Sequence, residues 1–536
     1  MNHAATPRYT QHIEGTTPMQ SFSRRVAALA AGAAASLLVL TGCSVNDNPA
    51  APSPNQSSNP TTTAPAGPVP EGFEEVYSQK VDWTKCGGGA FLCATVQAPM
   101  DWSNPDSERV GIAVQMYKAR SSSPQGTVLI NPGGPGGSGV ELVGYAPAIF
   151  GEKLLENYNI LGFDPRGVGL SEPIKCLDSE AMDRHVAASY PAEVTEKVLA
   201  LVQKDADAFA AACKENSGPV MEFVDTQSAA RDMDLIRALV GDEKLNYLGY
   251  SYGTQLGATY AGIFPANVGR AVLDGAIDLR LSSFEQTKQQ AIGFENALRA
   301  FVENCQTNSD CVLTGSVDDG MEQVSTMLQS LGTNPLPTDS GRVLTKSLGF
   351  YGVAQPLYAK ALWPALEAGL HDAIAAQDGS TLLELSDEYF GRDEDGNYTS
   401  NQTEAFTAIN CLDTRDVEDF AAMKKESEEI VKAAPTMGEF FGWGGVTCKN
   451  WPFPQAEQNF DLSAAGADPI MVIGTTNDPA TPYVWAQGLA EQLDSGFLVT
   501  HEGEGHTAYG MGNQCITDVV DSYFVDGTVP SEGKTC

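Results

Sequence analysis

The spacing of apolar positions changes character several times along the chain. Residues 26–40, VAALAAGAAASLLVL, are an unbroken apolar run of 15 behind Arg24 and Arg25, too short for a membrane span and suited to the hydrophobic region of a signal peptide. From Ser44 to about Pro70 the chain is Asn, Pro, Ser, Ala and Thr with almost no large apolar residue, the composition of a solvated tether. Short runs rich in β-branched and aromatic residues follow at 73–81, 91–99 and 110–117, and predict a β-meander. Buried runs at 128–131, 158–164, 245–250, 270–274, 470–474 and 497–500 are then separated by longer, partly helical stretches. Apolar runs alternating with helices predict an α/β fold, a mostly parallel sheet covered on both faces. Residues 225–240 open with an Asp-Thr cap signal and place Ala229, Met233, Ile236 and Val240 at helical spacing, which makes them the crossover helix into the strand at 245–248.

Between 279 and 468 the alternation stops and helical patterns dominate, as at 284–306 and 422–433. The expected organisation is a leader at 1–42, a tether at 43–70, a core formed by 71–278 and 469–536, and a large helical cap insertion at 279–468. Within the cap, Asp393, Asp395, Gly396, Asn397 and Glu404 imitate a calcium loop, but Tyr398 stands where the sharp turn needs Gly, so a plain polar loop is expected.

With 42% hydrophobic and 8% aromatic residues the chain is no disordered polymer, and its 32 basic against 68 acidic residues, a net charge of −36, exclude a phosphate backbone as partner. The leader ends in Leu40, Thr41, Gly42 and Cys43, a lipobox-like signal in which Cys43 is the lipidation site and the chain is anchored to the outer face of a membrane. Ser23, Arg24 and Arg25 also resemble a twin-arginine signal, and a start at Met19 would give a leader of ordinary length. Of the 11 cysteines, setting Cys43 aside leaves an even 10, so disulfides and an extracytoplasmic location are expected. Pairing neighbours in sequence gives Cys86–Cys93, Cys176–Cys213, Cys305–Cys311, Cys411–Cys448 and Cys515–Cys536, one of the connectivities that spacing leaves open. No C-x-x-C or H-E-x-x-H motif occurs, and only His185, His371, His501 and His506 lie beyond the leader; no metal or cofactor is expected.

Candidate chemistry concentrates where strands end. Gly249, Tyr250, Ser251, Tyr252 and Gly253 match G-x-S-x-G directly after a predicted buried strand and before a predicted helix at 254–264, the context of a nucleophile elbow. The turn is so tight that only small residues fit two positions to either side, and it aims a helix N-terminus at the reaction centre. Upstream, 131–139 read NPGGPGGSG; the Walker lysine is missing, so backbone donors of an oxyanion hole are the better reading, from Gly134 and Tyr252. A serine hydroxyl needs a base and the base an orienting acid. His506 follows the last predicted strand, with His501 as runner-up, and Asp478 follows the penultimate one, with Asp274 as the alternative acid. The order Ser251, Asp478, His506 is that of the α/β-hydrolases.

The glycine loop, the segment 162–171 (GFDPRGVGLS), the elbow GYSYGT, the cap segment 408–413 (AINCLD) and the C-terminal Asp and His loops together resemble the actinobacterial secreted tripeptidyl aminopeptidases, over about residues 73–536. The resemblance implies an α/β-hydrolase akin to prolyl iminopeptidases, in a family that also holds envelope proteases and esterases, with cap acids that bind the substrate's free α-amine. Asp413 is the candidate for that contact, with a structural residue beside a disulfide as the alternative. Asp164 and Arg166 are expected to brace the neighbouring loop as an ion pair. The expected function is a lipid-anchored serine peptidase acting on peptides with free N-termini. A carboxylesterase or lipase on acyl esters is the alternative, and a binding lipoprotein with an inactive site a third reading.

Overall fold

A computed structural model describes residues 67, 69–191, 195–414, 419–442, 444–458, 460–531 and 533–536. The expected leader, the candidate lipidation site Cys43 and nearly all of the expected tether lie outside the described residues. The strands are β1 (Thr84–Cys86), β2 (Phe91–Pro99), β3 (Arg109–Tyr117), β4 (Gly126–Asn131), β5 (Tyr158–Phe163), β6 (Leu245–Tyr250), β7 (Val268–Asp274), a small hairpin of β8 (Leu336–Pro337) and β9 (Val343–Leu344), then β10 (Ile470–Asn477), β11 (Gly496–Glu504) and β12 (Lys534–Thr535). Ten of them form one sheet in the order β1-β2-β3-β5-β4-β6-β7-β10-β11-β12. Pairings from β1 to β5 along that order are antiparallel, and those from β5 through β12 are parallel.

The parallel strands read as continuous apolar runs because both faces are covered. Val128 and Ile130 of β4 pack with Leu248, Val272 and Met471 in one cluster, whereas Leu129, Tyr247, Leu273 and Val472 belong to the other. Adjacent side chains on a strand point to opposite faces, so every residue of such a run enters a core. The helix Thr226–Val240 is capped by the Asp225 side chain, which accepts from Ser228 N–H, and closes on Gly241 at φ 89°. It buries Ala229, Met233 and Ile236 as its spacing predicts.

The first predicted strand, 73–81, is instead the helix Glu74–Tyr77. Phe73, Val76 and Tyr77, all buried, stand at i, i+3 and i+4, a helical spacing that the β-rich composition of the segment concealed. The three-strand meander exists, but its first member is β1. The Tyr77 hydroxyl donates to Asp234 Oδ2 at 2.9 Å, which pins this helix to the crossover helix.

Between β7 and β10 the regular structure of the described residues is helical apart from the β8–β9 hairpin, and includes Ser283–Cys305, Lys346–Ala354, Ser380–Phe390, Gln402–Asp413 and Phe420–Ala433. The Ser282 side chain and Glu285 make a reciprocal capping box at the start of the first. All five disulfides are those given by pairing sequence neighbours, and they belong to an oxidising, extracytoplasmic setting. Among the described residues no helix is long and apolar enough to cross a membrane. Asp393 closes a polar loop by accepting from Asn397 N–H at 2.7 Å.

The expected Asp164–Arg166 ion pair does not form. Arg166, fully buried, pairs instead with Asp232 through Nε and Nη2 at 2.8 and 2.7 Å, and its remaining protons go to the carbonyls of Met100, Pro99 and Phe223 at 2.7, 2.9 and 3.2 Å. Trp102 Nε1 donates to the same carboxylate at 2.9 Å. The guanidinium thus ties the loop after β5 to the crossover helix and the end of β2. Removing one member of a buried, fully bonded pair strands the other charge. Asp232→Ala is therefore expected to destabilise the protein by about 3–5 kcal/mol, measured by urea denaturation.

Candidate active site

Strands β4, β6, β7, β10 and β11 run parallel, so the loops at their C-terminal ends gather on one edge of the sheet. Four of those loops carry the residues singled out from the sequence. After β6 the chain turns at Ser251, which has φ 55° and ψ −123° and is the residue before the helix Tyr252–Ile263. A β-carbon on Gly249 would lie 2.3 Å from the Gly253 carbonyl oxygen, and one on Gly253 would lie 2.9 Å from that of Asn131. The strained serine conformation is held by backbone packing that admits no side chain at either flank. Ser251 N–H donates to the Asp274 carbonyl at 2.9 Å, tying the turn to β7.

The glycine loop after β4 packs onto this turn. Gly133, at φ 92°, would place a β-carbon 3.0 Å from both Ser251 Cβ and Tyr252 N. Its own N–H is taken by Asn131 Oδ1 at 2.9 Å. Tyr252 N–H, at the first helical position, has no acceptor within its helix. Among the described residues neither Tyr252 N–H nor Gly134 N–H finds an acceptor. The loop's far end is fixed by Asp164, which accepts from Ser138 Oγ at 2.5 Å, Val140 N–H at 3.1 Å and Leu170 N–H at 2.8 Å. Bracing the glycine loop is thus the work of Asp164 alone, without Arg166.

Asp478 and His506 come together in the loops after β10 and β11. His506 Nδ1 lies 2.9 Å from Asp478 Oδ2 and 3.0 Å from Oδ1, and both residues are buried. The carboxylate is held in place by Ala480 N–H at 2.9 Å, Thr481 N–H at 2.8 Å and Thr507 N–H at 3.3 Å. Thr481 Oγ1 donates to Asp478 Oδ2 at 3.0 Å and stands 3.2 Å from His506 Nδ1. Sequence reasoning overlooked Thr481, which follows directly on the Asx turn that Ala480 N–H closes onto Asp478 Oδ1.

Neither alternative takes part in that pair. His501 Nδ1 meets Asn513 Nδ2 at 2.9 Å, beside the C-terminal carbonyl of Cys536. The Asp274 carboxylate accepts from Tyr509 N–H at 2.7 Å and Ala508 N–H at 3.0 Å, so it supports the backbone just beyond His506. Burial pushes Asp274 up to about 7, against the pull of those N–H groups and of His506. For His506 burial lowers the pKa, but the charge and hydrogen bond of Asp478, joined by the charge of Asp274, more than offset it and leave the imidazole above its ordinary value.

Asp413 lies at the end of the helix Gln402–Asp413. Its Oδ1 accepts Thr226 N–H at 2.8 Å and its Oδ2 accepts the Thr226 hydroxyl, which also meets the Tyr252 hydroxyl. This carboxylate therefore caps the crossover helix from the insertion, one side chain removed from the residue after Ser251. Burial pushes it up to about 7. Among the described residues no cluster of three or more His, Cys, Asp or Glu is arranged to hold a metal ion.

Residues 434–536 match the family described as TAP-like protein. The chain is 34% identical to serine protease Hip1 of Mycobacterium tuberculosis over 86% of its length and 92% of that protein. The chain belongs to the tripeptidyl-aminopeptidase-like family of α/β-hydrolases. It is also 37% identical to carboxylesterase B of M. tuberculosis, covering 83% of this chain and 86% of that one, and 29% identical to the tripeptidyl aminopeptidase of Streptomyces lividans, covering 85% and 86%. Membership of this family, together with the fold, makes the protein a serine hydrolase. The ion-pair geometry gives a direct test of the site's electrostatics: followed by imidazole NMR, His506 is expected to titrate above 6.5 and to fall in Asp478→Asn, because burial then acts with less opposition.

Proposed function

We propose that the protein is a lipid-anchored extracytoplasmic peptidase that releases short peptides, tripeptides by its family, from free N-termini. The observation that carries the catalytic part is the buried Asp478–His506 pair, borne on the same edge of the sheet as the strained serine turn. His506, oriented by Asp478, takes the Ser251 proton as Ser251 Oγ attacks the substrate carbonyl. The N–H groups of Tyr252 and Gly134 receive the charge that develops on the carbonyl oxygen. His506 then gives its proton to the departing amine, and a water molecule clears the acyl-enzyme by the same path.

In this proposal residues 279–468 are a cap, 71–278 and 469–536 the hydrolase core, 1–42 a leader, and 43–70 a tether beginning at the lipidated Cys43. Cap material lies against the catalytic edge: a β-carbon on Gly136 would come 2.9 Å from the Gln402 carbonyl oxygen and 3.1 Å from Ala405 Cβ. Such a roof restricts entry to chain ends. Two buried carboxylates of this helix could receive the substrate ammonium, Asp413 and Glu404. The oxygens of Asp413 already accept from Thr226. Glu404 makes no ion pair with any described residue, is 8% exposed, and is pushed up to about 7 by burial; an incoming ammonium would stabilise its charged form. Glu404 is the stronger candidate.

A carboxylesterase is the second reading, favoured by the 37% identity to carboxylesterase B. The two separate on a chromogenic tripeptide amide with a free N-terminus, its acetylated counterpart and a short acyl ester. A peptidase prefers the free amine, and Ser251→Ala lowers its kcat/KM by about 10⁴-fold or more. Turnover of the ester alone would make the protein an esterase. Glu404→Gln is expected to raise KM for the free-amine substrate and leave the acetylated one unchanged.

A further inference from the structure

The histidine loop is held from two sides, and only one of them belongs to the sheet. Asp274 at the end of β7 accepts the N–H groups of Ala508 and Tyr509. On the other side, His506 N–H donates to the carbonyl of Tyr358, at 2.8 Å. Tyr358 ends a short helical turn, Gln355–Tyr358, within the insertion. The approach is close enough that a β-carbon on Gly505 would lie 2.7 Å from that same carbonyl oxygen. The Tyr358 ring also stands against the imidazole, with centroids 5.5 Å apart and planes at 86°.

We propose that Tyr358 is a positioning residue through which the helical insertion sets the orientation of His506. Its carbonyl fixes the backbone and its ring the plane of the imidazole. The proposal rests on His506 being the general base. A base that must take a proton from Ser251 and return it to a leaving group has to hold its ring within a narrow range of angles. Asp478 and Thr481 reach Nδ1, on one edge of the ring, and leave rotation about that edge to be limited by packing. Facing His506 are the carboxylates of Asp478, from the loop after β10, and Asp274, from β7, and the ring of Tyr358 from the insertion, which packs perpendicular to the imidazole.

The test compares the full chain with Tyr358→Phe and Tyr358→Ala, with Tyr358→Leu taking the place of the latter if it fails to fold. Tyr358→Phe keeps both the ring and the carbonyl, and is expected to hold kcat within about twofold of wild type. Loss of the ring is expected to lower kcat by about 10- to 100-fold while KM changes little, the mark of a misplaced catalytic group rather than lost binding. In the same variants His506 is followed by imidazole NMR. Removing the ring admits water, relieves the burial that lowers the imidazole, and should move its titration to higher pH. A folded Ala or Leu variant with unchanged kcat and an unmoved His506 titration would overturn the proposal, as would a loss confined to KM. If turnover persists in Ser251→Ala, the serine-hydrolase assignment of this site fails instead, and the NMR comparison alone decides whether Tyr358 governs His506.

Discussion

How closely the turn after β6 can approach the loop after β4 governs the whole catalytic edge. The two meet backbone to backbone, with Gly133 against Ser251 and Tyr252 and Gly253 against Asn131. A methyl group at either glycine would push the loops apart. That contact holds Ser251 in its strained conformation. The surrounding bonds serve this contact: Asn131 Oδ1 secures Gly133, Asp164 secures the far end of the loop, and the Asp274 carbonyl secures Ser251.

The second half of the site is built on different terms. Asp478 is satisfied by three backbone N–H groups and the Thr481 hydroxyl as well as by His506, so its direction is set independently of the imidazole. His506 depends on more distant elements. The last turn of β7, the loop after β10 and a segment of the insertion each hold its loop. The insertion is joined to the core at several places along this edge, among them Gln402 and Ala405 at the glycine loop, Asp413 at the crossover helix, Gln290 at the loop after β10 and Tyr358 at the histidine.

Expectations from sequence held where one local rule was enough. Buried strands announced themselves as apolar runs, and β6 spans the predicted 245–250. The crossover helix carried its own cap and spacing. The elbow was legible because its steric demand selects glycine at fixed offsets. Expectations failed where the outcome was a choice among partners. Arg166 has two aspartates within reach of plausible reasoning, Asp164 two residues away and Asp232 far along the chain; burial among the carbonyls of Met100 and Pro99 selects Asp232. Asp164 in turn finds Ser138, Val140 and Leu170. Residues 73–81 were misread because β-branched and aromatic content outweighed a helical spacing over only five positions.

By itself the sequence determined the order of elements, the strained serine turn, the family and, among several candidates, the residues of the Asp478–His506 pair. These follow from short-range stereochemistry and from periodicity, which any chain carries in its order of residues. Only the tertiary structure decided that Asp274 supports the histidine loop, that Thr481 joins Asp478, that Asp413 caps a core helix and that Tyr358 reaches His506. Each of those contacts joins loops or helices that are distant in sequence, and a side chain's partner there depends on which groups remain unsatisfied once the backbone has closed around it.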